Sequence, residues 1–130
     1  YFMKKLFKTS ALALLLGIVF ISCKKDKEEP SPVGFFVGLE GLGTDVPIYD
    51  FALLIRDNGT VRYYDSPDTT KGASREGTYT MNGNLIDFRI KFTEFTSVYN
   101  GTFINDFSRI EAGVWFASEA NLGTFNLERR

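Results

Sequence analysis

Leu85-Ile86-Asp87-Phe88-Arg89-Ile90-Lys91-Phe92 alternates along its whole length. Ile86, Phe88, Ile90 and Phe92 share one parity; Asp87, Arg89 and Lys91 share the other. Successive side chains of a strand project to opposite faces, so this stretch reads as a β-strand with one dry and one wet face. The same period runs outward from it in both directions. Phe51, Leu53 and Ile55 repeat the dry face with Arg56 opposite, and Val61 and Tyr63 continue it with Arg62 and Tyr64 outside. Gly123, Phe125 and Leu127 face in against Thr124, Asn126 and Glu128. Period 3.6, the mark of a helix, does not appear after residue 33.

Turn residues divide these strands. Asp57-Asn58-Gly59 and Asn82-Gly83 tolerate the positive φ of tight hairpin turns. Asn105-Asp106 and Glu119-Ala120-Asn121 mark later turns, and Gly41–Pro47 and Ser66–Ser74 form longer loops. The strands fall at about 33–39, 48–56, 60–65, 75–81, 84–92, 97–104, 107–117 and 122–128. Eight short antiparallel strands joined mostly by hairpins predict an all-β fold, an up-and-down barrel with no free edge. A β-sandwich is the alternative. Glycine followed two residues later by an aromatic recurs at Gly77/Tyr79, Gly101/Phe103, Gly113/Trp115 and Gly123/Phe125. A curved sheet uses such pairs, because a neighbouring ring can cover the bare glycine. Around Trp115 the parity conflicts, since Ile110, Ala112, Val114 and Phe116 oppose Gly113 and Trp115. A β-bulge near Gly113 reconciles them.

The strands occupy one domain, 33–130. Ahead of it, Met3 reads as the natural start, with Tyr1 and Phe2 outside the fold reading. Lys4, Lys5 and Lys8 flank the apolar run Ala11–Ile21, which leads to Ser22-Cys23. A basic start, a short apolar core and a small residue at the cut site are the parts of a secretory signal peptide. The run is shorter than the ~20 residues that a bilayer core requires. Phe20-Ile21-Ser22-Cys23 resembles the lipobox of bacterial lipoproteins. The resemblance implies a helical signal peptide over 1–22, cleavage before Cys23 and acylation of that residue. The expected partner is then the membrane, reached through the lipid anchor at Cys23, and the expected location is the bacterial envelope, outer membrane rather than inner. Each acyl CH₂ buried in lipid adds about 0.8 kcal/mol. Residues 23–32 are the lipidated cysteine and a tether, polar and with Pro30 and Pro32. Lysine followed by acids behind the cysteine resembles surface-export signals of some Gram-negative lipoproteins; a solubilising spacer is the other reading.

The chain carries 15 Lys and Arg against 16 Asp and Glu, with no histidine and one cysteine. No basic stripe is present, which argues against nucleic acid as a partner. The missing histidine removes the usual serine and cysteine catalytic arrangements and the commonest zinc ligand. No cofactor and no metal is expected. A catalytic site would need carboxylates, and Asp65 with Asp68 is the one pair on a single loop. Turn-forming aspartates in a solvated loop are the stronger reading of this pair. Asp57-Asn58-Gly59 lacks the rest of a calcium loop.

Thirteen Phe, six Tyr and one Trp dominate the apolar content. Phe51, Tyr63, Tyr79, Phe88, Phe92, Tyr99, Phe103 and Phe125 are expected to face the barrel interior, either as a filled core or as the lining for a small apolar or amphipathic ligand. Any pocket is expected beside the 66–74 or 41–47 loops. The domain resembles the lipocalin-like, or calycin, group. Gly34-Phe35-Phe36 stands where that group has Gly-x-Trp, and Arg129 or Arg130 stands where it has the arginine that covers the ring. The resemblance implies a non-catalytic carrier. Avidin-type barrels use several tryptophans, whereas this chain has only Trp115, so biotin is not implied. A solid barrel that docks through Tyr64 and Phe35 is the alternative function, and a carboxylate hydrolase the second.

Overall fold

The computed structural model describes residues 29–130. The leader, the lipobox and Cys23 lie outside the described residues. Within them the chain forms β1 (Gly34–Glu40), β2 (Tyr49–Ile55), β3 (Thr60–Tyr64), β4 (Ser74–Asn82), β5 (Leu85–Lys91), β6 (Thr96–Ile104), β7 (Arg109–Ser118) and β8 (Asn121–Arg129). Each strand pairs antiparallel with the next, and β1 pairs with β8, so the sheet closes into an up-and-down barrel. No sandwich forms. Closure satisfies every sheet edge within the molecule.

The parity rule places the core. Phe36, Phe51, Leu53, Ile55, Val61, Ile86, Phe88, Ile90, Ile110 and Leu127 are fully buried, and Tyr63, Tyr99, Phe103 and Phe125 nearly so. Rings from opposite walls meet at the centre. Phe51 of β2 lies 6.2 Å from Tyr99 of β6 and 6.1 Å from Phe125 of β8, centroid to centroid. Tyr99 stacks on Phe88 at 4.6 Å. Side chains therefore fill the middle of the barrel, as a ring of eight strands allows.

Two local details differ from the sequence expectation. The turn after β4 is Gly83-Asn84, not Asn82-Gly83, because Asn82 still pairs with Leu85. Gly83 has φ +60° at the first turn position, where a type II′ hairpin demands glycine. The turn after β6 is longer than Asn105-Asp106. Asn105, Asp106 and Phe107 all have positive φ, and β7 begins only at Arg109. The bulge is present in β7. Its register against β8 shifts between Ile110 and Gly113, with Ala112 at φ +51°. The extra residue brings Ile110, Gly113 and Trp115 to the same inner face and leaves Val114 and Phe116 outside. Gly113 is required there, since a Cβ would meet the Phe125 ring at 2.7 Å.

The barrel has two unlike ends. The tight end carries the 57–59, 83–84 and 105–108 turns and Arg129. The Arg129 guanidinium sits 4.7 Å from the Phe36 ring centroid. It donates to the carbonyls of Val33 at 2.7 Å, Ser31 at 2.6 Å and Phe107 at 3.1 Å. A Cβ on Gly34 would collide with that guanidinium, so the glycine makes room for the cap. The open end carries the 41–48, 65–73, 92–95 and 119–120 connections.

Candidate functional site

Along β1, Phe36 and Gly38 face inward, and the same parity sends Glu40 inward at the open end. It is a carboxylate among aromatics. Tyr63 of β3 donates its hydroxyl to Glu40 Oε1 at 2.7 Å, and Tyr99 of β6 donates to Oε2 at 3.0 Å. One carboxylate thus ties three strands together. Burial raises the Glu40 pKa above its ordinary 4.5, against the pull of the two hydroxyls, which favour the ionised form. Burial and the nearby Glu40 charge push both tyrosines up. Among the described residues Glu40 has no ion-pair partner.

Aromatic walls rise from this trio to the rim. On one side Trp115 stacks on Tyr99 at 6.2 Å and donates its indole N–H to the Gly41 carbonyl at 2.9 Å. That bond ties β7 to the residue after Glu40. On the other side Phe92 meets Tyr63 edge-on at 5.7 Å, and Phe95 stacks on Phe92 at 5.1 Å. A recess of about 380 Å³ opens between the two walls, lined by Phe95, Trp115, Ala117, Ser118 and Asn121. It lies at the open end between the 92–95 and 119–120 turns; a second, mostly apolar recess of about 450 Å³, lined by Gly43, Trp115, Phe116 and Leu122, opens beside the 41–47 loop, as expected. Arg75 of β4 also faces inward here, opposite Tyr63. Its Nη1 turns back to the Ser74 carbonyl at 3.1 Å, and its Nε is buried without a partner.

The eight aromatics expected to face inward do so. Phe51, Phe88, Tyr99 and Phe125 meet at the centre, Tyr63 and Phe92 lie towards the open end, and Phe103 lies towards the tight end against Phe36. Tyr79 packs on the core and donates its hydroxyl to the Arg56 carbonyl at 2.7 Å. No family, no curated protein and no solved structure matches the chain.

The other candidates have local roles. Asp68 Oδ1 accepts from the Thr70 N–H at 3.0 Å and the Thr70 hydroxyl at 2.6 Å, which holds its pKa low and closes its own turn. Asn58 Oδ1 accepts from the Thr60 N–H at 3.1 Å, capping the hairpin with Gly59 at φ +81°. Among the described residues no three acidic, histidine or cysteine side chains gather as metal ligands. Tyr64 and Phe35 are half-buried and pack edge-to-face on each other at 6.2 Å. Sequence reading missed Glu40, because the first strand was expected to end at 39. One further step of the alternation would have placed an acid on the inner face.

Proposed function

We propose that this chain is a non-catalytic lipoprotein of a bacterial envelope, anchored by acyl chains on Cys23, whose barrel receives a small amphipathic molecule at its open end. The leader and its likeness to a lipobox support the anchor. Arg129 above Phe36 supports the likeness to lipocalin-type barrels, in which a cation covers the first-strand ring. The observation that carries the ligand reading is the half-buried Glu40 carboxylate held by Tyr63 and Tyr99, with Phe92 and Phe95 rising from one tyrosine and Trp115 from the other toward the recess at the rim. Since rings bridge the centre, the ligand sits at the mouth. A recess of about 380 Å³ suits a small molecule.

Two measurements test it. Mass spectrometry of the mature N-terminus should show acylated Cys23, and Cys23→Ala should yield an unlipidated protein; acylation that persists removes the anchor. Native mass spectrometry of the full-length protein should show a mass excess that solvent extraction removes and that Trp115→Ala prevents. An excess unaffected by Trp115→Ala removes the mouth as the binding place.

A second reading rests on a different face. Val114, Phe116, Leu122 and Leu42 are 47%, 46%, 46% and 50% exposed. Phe116 pairs with Leu122, and Gly43 continues the row by donating its N–H to the Leu122 carbonyl at 2.7 Å. This apolar strip favours a protein contact on the outer wall. Phe116→Ser with Leu122→Ser should abolish such a contact in cross-linking while leaving ligand binding intact.

A further inference from the structure

We infer that the open end selects an organic ammonium, held by the Glu40 carboxylate with its apolar part between Phe95 and Trp115. This rests on the reading of the mouth as a ligand site and names the charge the ligand carries. Glu40 points into a barrel whose neighbouring side chains are almost all apolar. A carboxylate in such surroundings is costly unless it is paired or hydrogen-bonded. The two tyrosine hydroxyls supply one bond to each oxygen, leaving each oxygen a further lone pair. No basic side chain among the described residues takes that place. Arg75, the other charged residue facing inward at this end, keeps Nη1 on the Ser74 carbonyl at the rim.

The tyrosines do more than hydrogen-bond. Tyr63 and Tyr99 are packed by Phe51, Phe92, Phe88 and Trp115, which fixes both rings and so fixes the carboxylate. A cation entering from the rim passes aromatic faces before it reaches the acid. Trp and Phe faces attract cations through their ring quadrupoles, more strongly where water is excluded. A neutral alcohol can donate one hydrogen bond to the acid but brings no opposite charge to it. An anion is repelled by the Glu40 carboxylate. The site therefore discriminates by charge, and the aromatic walls retain the apolar remainder.

Trp115 is the single tryptophan of the chain and lines both the mouth and a recess beside Gly43, so its fluorescence reports binding at either, and Glu40→Gln tells the two apart. The full chain in nonionic detergent is titrated with 2-phenylethylammonium, with neutral 2-phenylethanol and with anionic 3-phenylpropionate. The expected result is a saturable change with the ammonium, and binding about tenfold or more weaker for the other two, the scale set by one charge-assisted hydrogen bond. Glu40→Gln keeps the shape and should lose the preference while its circular dichroism matches the wild type and its unfolding stays cooperative. Equal affinity for all three probes, or a charge preference that survives in Glu40→Gln, overturns the ammonium assignment and leaves the mouth a general apolar site. No saturable response to any probe overturns the ligand reading itself. The charge series is read on the wild type, so it decides the assignment even if the variant does not fold.

Discussion

The Glu40 carboxylate gives this barrel a pH dependence whose sign follows from its burial. The folded pKa of Glu40 is raised above 4.5 by burial. The folded state therefore holds its proton more tightly than the unfolded chain does, and protonation favours folding. The stabilisation is present in full below pH 4.5 and is lost as pH rises through the raised folded value. Denaturation across pH 4 to 8 should show the wild type losing stability relative to Glu40→Gln over that window, with a flat difference above it. Glu76 has the opposite sign, because Arg56 and Arg62 hold its pKa low. Its exposed position makes that pair a small term. Ala112 gives a second residue-scale prediction. At φ +51° an alanine costs roughly 1–2 kcal/mol, and glycine removes most of that cost. Ala112→Gly should raise the unfolding free energy read from urea denaturation by about 0.5–1 kcal/mol, and Ala112→Val should lower it.

Elements were legible from the sequence to differing degrees, for physical reasons. Strands with one wet face declared themselves, and Leu85–Lys91 matches its alternation residue for residue. The need for a bulge in β7 was visible as a parity conflict, but its position was not, because alternation says only that a residue is extra. Fixing it took the Ala112 backbone and the Phe125 ring against Gly113. The β4–β5 turn was displaced by one residue because Asn-Gly is a good turn pair in more than one frame. The glycine at the first turn position settles the frame. Gly83→Ala should therefore cost about 1 kcal/mol or more in chemical denaturation, whereas Asn82→Ala should be nearly neutral. The reverse order would put the turn back at Asn82-Gly83. Candidate site residues were legible as a group of inward aromatics, and their sorting into centre, mouth and tight end was not. Height along a barrel depends on strand tilt and register, and one-dimensional alternation carries neither.

The whole molecule is held from its two ends and its middle. At the middle, Phe51 touches Tyr63, Tyr99 and Phe125. Phe51→Ala should cost about 3–5 kcal/mol, the range for an aromatic removed from a packed core. At the tight end, Arg129 joins the chain before β1 and the 105–108 turn to β8 through backbone carbonyls. Arg129→Ala should cost about 1–3 kcal/mol, and lysine should restore only part of it, because an ammonium lacks the planar fork. The mouth should stay intact in that variant, so Trp115 fluorescence should be unchanged until global unfolding.

The joining of β1 to β8 also means that the strand ends meet, with Arg129 reaching the carbonyl of Val33. Every other connection links neighbours in space. The order in which the strands are threaded is then incidental to the finished shape. A short linker from the end of β8 to Val33, with new termini opened at Asp57–Gly59, should yield a permuted chain that closes the same way. Its Trp115 emission would match that of the original sequence.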